Sequence, residues 1–165
     1  MEYSIDGMRR DDWAQVAAIY LAGIQTGRAA FRSEAPSWEV WDRAYAGTCR
    51  LVARSGSEVL GWAALTPVSN LCVLAGVAEV SIYLAPSHRG QGIGTALLNR
   101  LVLLSEERGY WTLQSEIMRE NEACIRLHET CGFRRVGVRE RLGRTCDGKW
   151  HDVILMELRS RTVST

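Results

Sequence analysis

Lysine is almost missing from this chain: of its 20 Lys and Arg residues, every one but Lys149 is arginine. A phosphate-binding G-x-x-x-x-G-K-[ST] loop is therefore not expected at the glycine-rich stretch Gly90–Gly94, because no lysine lies anywhere near it. The arginine excess leaves two readings open, an Arg-rich codon bias or a use of guanidinium forks on anions. Net charge is only +1, so no global field draws the protein to nucleic acid or an anionic membrane, and neither partner is expected. Long apolar runs are absent too. Leu60–Leu65 and Ile93–Leu104 fall far short of the roughly 20 residues of a membrane span. No apolar stretch follows Met1–Ile5, so no signal peptide is expected. The five cysteines (Cys49, Cys72, Cys124, Cys131 and Cys146) form neither a disulfide framework nor a C-x-x-C pattern. A reduced, cytoplasmic setting is expected. Cys124 and Cys131, seven apart on a predicted helix, read as small core hydrophobes. His88, His128 and His151 lack ligand spacing, so no metal is expected. No G-x-S-x-G elbow exists to suggest a hydrolase.

What is present suits one domain over residues 1–165: 47% hydrophobic and 24% charged residues allow a sizeable core under a solvated surface. Tyr3–Met8 reads as a strand, and Asp11 or Asp12 as the cap of a helix through Trp13, Val16, Ile19 and Tyr20. A polar loop, Gly27–Ala35, precedes a helix opened by Pro36-Ser37 and carrying Trp38, Trp41 and Tyr45. Leu51–Arg54 and Val59–Thr66 read as a hairpin and Val77–Leu84 as a further strand. Gly92–Arg108 is amphipathic at helical spacing and is stopped by Gly109. Thr112–Ile117 returns as a strand, Asn121 caps a helix to Cys131, and Phe133–Val138 and His151–Leu158 are the last strands. This order predicts an α/β (α+β) fold with one mixed sheet flanked by helices.

The run Ile82 to Thr95 carries the most chemistry. A strand ends, three alternate glycines follow, and a long helix begins. Without β-carbons, Gly90, Gly92 and Gly94 let backbone N–H groups approach an anion, and the helix start adds unpaired donors. Arg89 supplies a charged fork beside that phosphate-sized pocket. A dinucleotide fingerprint fits poorly, since Thr95 stands where its third glycine belongs and the loop arrives mid-chain.

Arg89-Gly90-Gln91-Gly92-Ile93-Gly94 resembles the Q/R-x-x-G-x-G/A loop of the GNAT N-acetyltransferases. The run from Asn121 to Phe133 resembles the same family's N-x-x-A…L-x-E-x-x-G-F segment. Within that family the chain is similar to the phosphinothricin and methionine sulfoximine acetyltransferases. Phe31-Arg32-Ser33-Glu34, Val77–Leu84, His128 and Gly148–Val153 carry this likeness. The resemblance implies a mostly antiparallel central sheet, acetyl-coenzyme A as co-substrate, a small-molecule amine as acceptor, and a homodimer. It also implies that backbone groups of Ile82, Tyr83 and Leu84 hold the pantetheine arm and that Gly90, Gln91, Gly92, Ile93, Gly94 and Thr95 wrap the pyrophosphate. Asn121 is expected at the thiol end, and Phe31, Arg32, Glu79, Val80 and Ser81 around the acceptor.

Acetyl transfer to an amine needs a base, a polarised thioester carbonyl and a proton for the departing thiolate. Glu79 is the expected base. Strand alternation puts it on one face with Ser81 and Tyr83, opposite Val80, Ile82 and Leu84. The Ile82 N–H is the expected oxyanion donor, and His128 is expected to protonate the thiolate or assist the base. His88 and His151 read as loop and turn residues. The five arginines from Arg134 to Arg144 read as a solvated face or as a source of one phosphate contact. In place of the arginine that precedes the central strand in methionine sulfoximine enzymes, this chain has Ser69-Asn70-Leu71-Cys72-Val73-Leu74-Ala75. Arg32 is the expected substitute clamp. Other acceptors (a polyamine, an antibiotic, a protein N-terminus) and a non-catalytic acetyl-coenzyme A sensor are the competing readings.

Overall fold

The computed structural model describes residues 1–164. Its strands are β1 (Ser4–Gly7), β2 (Arg50–Ser55), β3 (Glu58–Pro67), β4 (Val77–Leu84), β5 (Thr112–Met118), β6 (Arg134–Arg144) and β7 (Trp150–Arg159). Its helices are α1 (Trp13–Ile24), α2 (Trp38–Ala44), α3 (Ile93–Glu107) and α4 (Glu122–Thr130). The strands form one sheet in the order β1-β2-β3-β4-β5-β7-β6. Every neighbouring pair is antiparallel except β4 and β5. Parallel neighbours need a long crossover, and α3 supplies it. The mixed, mostly antiparallel sheet expected from the sequence is thus observed.

Alternation deals the strand side chains to two cores. On one face Val52, Trp62 and Ala64 pack against Val16, Ile19 and Tyr20 of α1 and Trp41 of α2. On the other, Leu51, Ala63, Leu65 and Val80 pack beneath Leu97, Leu98 and Leu101 of α3. Each of those fully buried leucines contributes about 1.5–3 kcal/mol of transfer free energy. Their spacing makes α3 amphipathic, and Gly109 at φ 86° ends it. Asn121 Oδ1 accepts from the Cys124 N–H at 3.3 Å and so caps α4, as read from sequence. Cys124 and Cys131 both pack against the α3 core.

Two local expectations change. Asp12 stands at the cap position of α1, yet its carboxylate does not cap that helix. It accepts the Arg9 N–H and both terminal nitrogens of Arg54, each of the latter at 2.9 Å. Arg54 also donates to Asp6, tying β1, β2 and the start of α1 together. A bidentate guanidinium pair outbids a single backbone donor for the same oxygens. The strand expected over Phe133–Val138 runs on to Arg144. It stays paired to β7 through two register irregularities, with Arg141 at φ 45°. Bulges break the alternation on which the shorter reading relied.

Candidate active site

β4 is the sheet's central rail. The Ala85 N–H donates to the Leu60 carbonyl at 2.8 Å at one end, and the Val68 N–H to the Val77 carbonyl at 3.2 Å at the other. In an antiparallel ladder this parity turns the backbone groups of Val77, Glu79, Ser81 and Tyr83 toward β3. Those of Ala78, Val80, Ile82 and Leu84 point the other way, toward β5. Yet β5 is registered with β4 only over Val77–Glu79. Beyond Glu79 the two strands part, and Ile82 and Leu84 direct N–H and C=O into the opening. Tyr83 was expected to share this role through its backbone. Its parity sends those groups to β3, opposite Trp62. Its ring packs against Trp62 and Tyr20, and its hydroxyl donates to the Ala29 carbonyl at 3.3 Å.

The glycine loop lies at the end of this opening. Gly90 (φ 74°) and Gly92 (φ 82°) adopt left-handed backbone, and no atom lies within 4 Å of where a β-carbon would stand on either. α3 starts at Gly92 with no side-chain cap, so its first-turn N–H groups are free to meet an anion. At Gly94 a β-carbon would come within 3.2 Å of Leu84 and 3.3 Å of Leu127, which lets α3 seat closely on β4 and α4. Arg89 makes no ion pair among the described residues.

A cleft of about 830 Å³ joins the loop to the opening and to the Phe31-Arg32 segment. That volume lies in the range of small-molecule sites. Among the residues expected there, Phe31, Arg32, Glu79 through Leu84, Arg89, Gly90, Gly92, Gly94, Thr95, Asn121 and His128 all line it. Gln91 and Ile93 do not. The Gln91 amide turns back to the Ser87 carbonyl at 3.2 Å, and the Ile93 side chain is buried in the α3 core. Only their backbone groups remain available to a ligand.

Glu79 sits where the strands separate, partly buried, accepting from Gln114 Nε2 at 3.3 Å. Burial raises its pKa above the ordinary carboxylate value. The Gln114 hydrogen bond opposes that rise and the nearby Glu116 charge adds to it. His128, only 1% exposed, is enclosed. Its Nδ1 lies 2.8 Å from the Cys124 carbonyl and its Nε2 2.7 Å from Ser115 Oγ. A carbonyl can only accept, so Nδ1 carries the proton and Nε2 accepts from the serine. Burial depresses the His128 pKa, and the Cys124 carbonyl bond opposes this. Direct donation from His128 to a thiolate, expected above, is blocked in this arrangement because both ring nitrogens are engaged.

Sequence reading missed Ser115, Gln114, Glu116, Tyr20 and Tyr45, all near or in the cleft. Their signal was alternation in β5: Leu113, Ser115 and Ile117 are buried while Gln114 and Glu116 face the other side. A serine in an inward register position is the cue. Of the other histidines, His88 lies in the loop as read, against Glu58 at 3.2 Å, whereas His151 is not a turn residue but a buried member of β7, held between Thr145 and Glu120. In the basic cluster Arg134, Arg135 and Arg139 pair with Glu157, Glu129 and Glu116, while Arg141 and Arg144 lie over the Trp150 ring. Among the described residues no group of three or more His, Cys, Asp or Glu side chains is placed to hold a metal, and no helix is long and apolar enough to cross a membrane.

Comparison with known proteins agrees with this architecture. The acetyltransferase (GNAT) family profile matches residues 13–133. The phosphinothricin N-acetyltransferase of Alcaligenes faecalis is 33% identical over 157 residues, covering 91% of this chain and 79% of the relative. The L-amino acid N-acyltransferase MnaT of Escherichia coli K12 is 29% identical, covering 94% and 92%. A GNAT superfamily phosphinothricin acetyltransferase from Sinorhizobium meliloti, solved in complex with AcCoA, superposes with a TM-score of 0.89 at 26% identity, over 99% of this chain and 91% of that one. With a family match over most of its length behind the parted strands and the glycine-lined helix start, this chain belongs to the GNAT family of N-acetyltransferases.

Proposed function

We propose that the protein transfers the acetyl group of acetyl-coenzyme A to the primary amine of a small amino acid or amino-acid analogue, with Glu79 as base. The observation that carries this reading is the parting of β4 from β5 at Glu79. It leaves a strand edge open to a pantetheine arm and sets a carboxylate beside the point where the thioester would lie. The uncapped start of α3 holds the pyrophosphate, the Ile82 N–H meets the carbonyl oxygen in the transition state, and Glu79 takes a proton from the incoming ammonium. Relatives named for phosphinothricin, methionine sulfoximine and L-amino acids support the acceptor class.

An acceptor of this kind carries a carboxylate, and Arg32 is the group we assign to it. Arg32 makes no ion pair among the described residues, lines the cleft, and lies near enough to Tyr20, Tyr45 and Tyr83 to oppose the burial-driven rise in their pKa values. The β3–β4 segment offers no cation. Leu71, Val73 and Leu74 stand exposed there instead. Arg32→Ala is expected to raise KM for a carboxylate-bearing amine about tenfold, the loss of one charge-assisted hydrogen bond, and to leave KM for acetyl-coenzyme A unchanged.

Thiol release from acetyl-coenzyme A across a panel of amines tests the reaction itself. Release with amino-acid analogues supports the reading, and silence across amino acids, polyamines and peptides overturns it. The pH profile tests the base. Glu79 must be ionised to act, so kcat/KM falls as pH drops through its raised pKa. Removing the hydrogen bond in Gln114→Leu moves that acid limb to higher pH, whereas Glu116→Gln moves it to lower pH.

A further inference from the structure

Protonating the thiolate is the step that the His128 geometry leaves without a direct donor. The pair that encloses His128 supplies another route. Ser115 is 2% exposed, yet it lines the cleft, and among the described residues its hydroxyl is the only side-chain group bonded to His128 Nε2. Ser115 and Glu79 lie on opposite faces of the sheet. Gln114 is in register with Glu79 and donates to it, and Ser115 is the next residue, turned to the α3–α4 side. A thioester held in the opening between β4 and β5 thus has a carboxylate on one side and a serine–imidazole pair on the other.

Resting on the acetyl-transfer reading above, we infer that Ser115, backed by His128, moves the second proton of the reaction from the amine nitrogen to the departing sulfur. Two protons leave the nitrogen in all. Glu79 removes the first, before attack. After the C–N bond forms, the nitrogen is cationic and shares its carbon with the sulfur, so one hydroxyl can serve both atoms. The nitrogen passes its proton to Ser115 Oγ as the serine proton moves to His128 Nε2. The resulting imidazolium donates from Nδ1 to the Cys124 carbonyl and from Nε2 to Ser115. As the C–S bond breaks, the Ser115 proton goes to sulfur and the Nε2 proton returns to the serine. An amide and a free thiol are formed, and both side chains regain their starting state. The neutral side chains around the ring, Cys124 and Phe133, offer no competing charge. The Cys124 thiol stays protonated, since burial pushes its pKa up to about 12.

The test pairs kinetics with spectroscopy. In Ser115→Ala, kcat is expected to fall about tenfold, because a thiolate leaves more readily than an amine and needs less than full general-acid assistance. KM for acetyl-coenzyme A is expected to stay within error while the melting temperature falls by a few degrees, since the buried His128 Nε2 loses its partner. Ser115→Thr, which restores a hydroxyl, is expected to recover kcat, which a purely structural role for the hydroxyl does not require. The 15N spectra of imidazole-labelled wild-type protein at neutral pH are expected to show His128 neutral with its proton on Nδ1. A kcat within twofold of wild type in Ser115→Ala, or a His128 proton found on Nε2, overturns the shuttle. Absence of acetyl transfer by the wild-type enzyme overturns the function reading instead, so the two failures are distinct.

Discussion

Replacing Glu79 by glutamine should cut kcat by about a hundredfold to ten-thousandfold while acetyl-coenzyme A binds nearly as before. Glutamine keeps the length of the side chain and a carbonyl oxygen for Gln114 to donate to. What disappears is the ability to hold a proton. The cost falls on turnover because the amine arrives as an ammonium ion and cannot attack until it is deprotonated. Coenzyme affinity is spared because the groups assigned to it are backbone donors of β4 and the start of α3, on which Glu79 exerts no packing control. Steady-state kinetics with the best acceptor, alongside calorimetric titration with acetyl-coenzyme A, separates the two quantities. Equal turnover in the variant would remove Glu79 from the chemistry, and a matching loss of affinity would assign it to cofactor binding.

A substitution at Gly92 should act in the opposite way. Gly92→Val is expected to weaken acetyl-coenzyme A binding by about 30- to 100-fold, or roughly 2–2.7 kcal/mol. Two effects combine. A β-branched residue at φ 82° is strained by about 1–2 kcal/mol, so the loop shifts away from the conformation that aims its N–H groups. The new side chain would also enter the open space that a pyrophosphate must occupy, where no protein atom now lies within 4 Å. Saturating coenzyme should restore most of kcat, since the reacting groups lie at the other end of the cleft. The same dissociation constant in both proteins would show that this turn does not hold the ligand.

The contrast between these variants follows how the site is encoded. The glycine loop was legible because its meaning is local: a strand end, positive-φ residues and a helix start follow one another in the chain. The two faces of β4 were legible for the same reason, since alternation is a property of one strand. The Ser115–His128 bond was not. It links a strand to a helix 13 residues later and depends on how deeply α4 settles on β5. The Arg54–Asp12 pair spans 42 residues, and nothing near Asp12 distinguishes a helix cap from an ion-pair partner. The length of β6 was hidden by its bulges.

The sequence by itself determined the family, the fold class, the glycine loop before α3 and the placing of Glu79 on the central strand, because each rests on short-range pattern and backbone geometry. Tertiary structure alone decided where β5 leaves β4. That point depends on the long α3 crossover and on both cores packing at once, and it sets which backbone groups stand open, which carboxylate faces them, and why a buried serine lies across the gap.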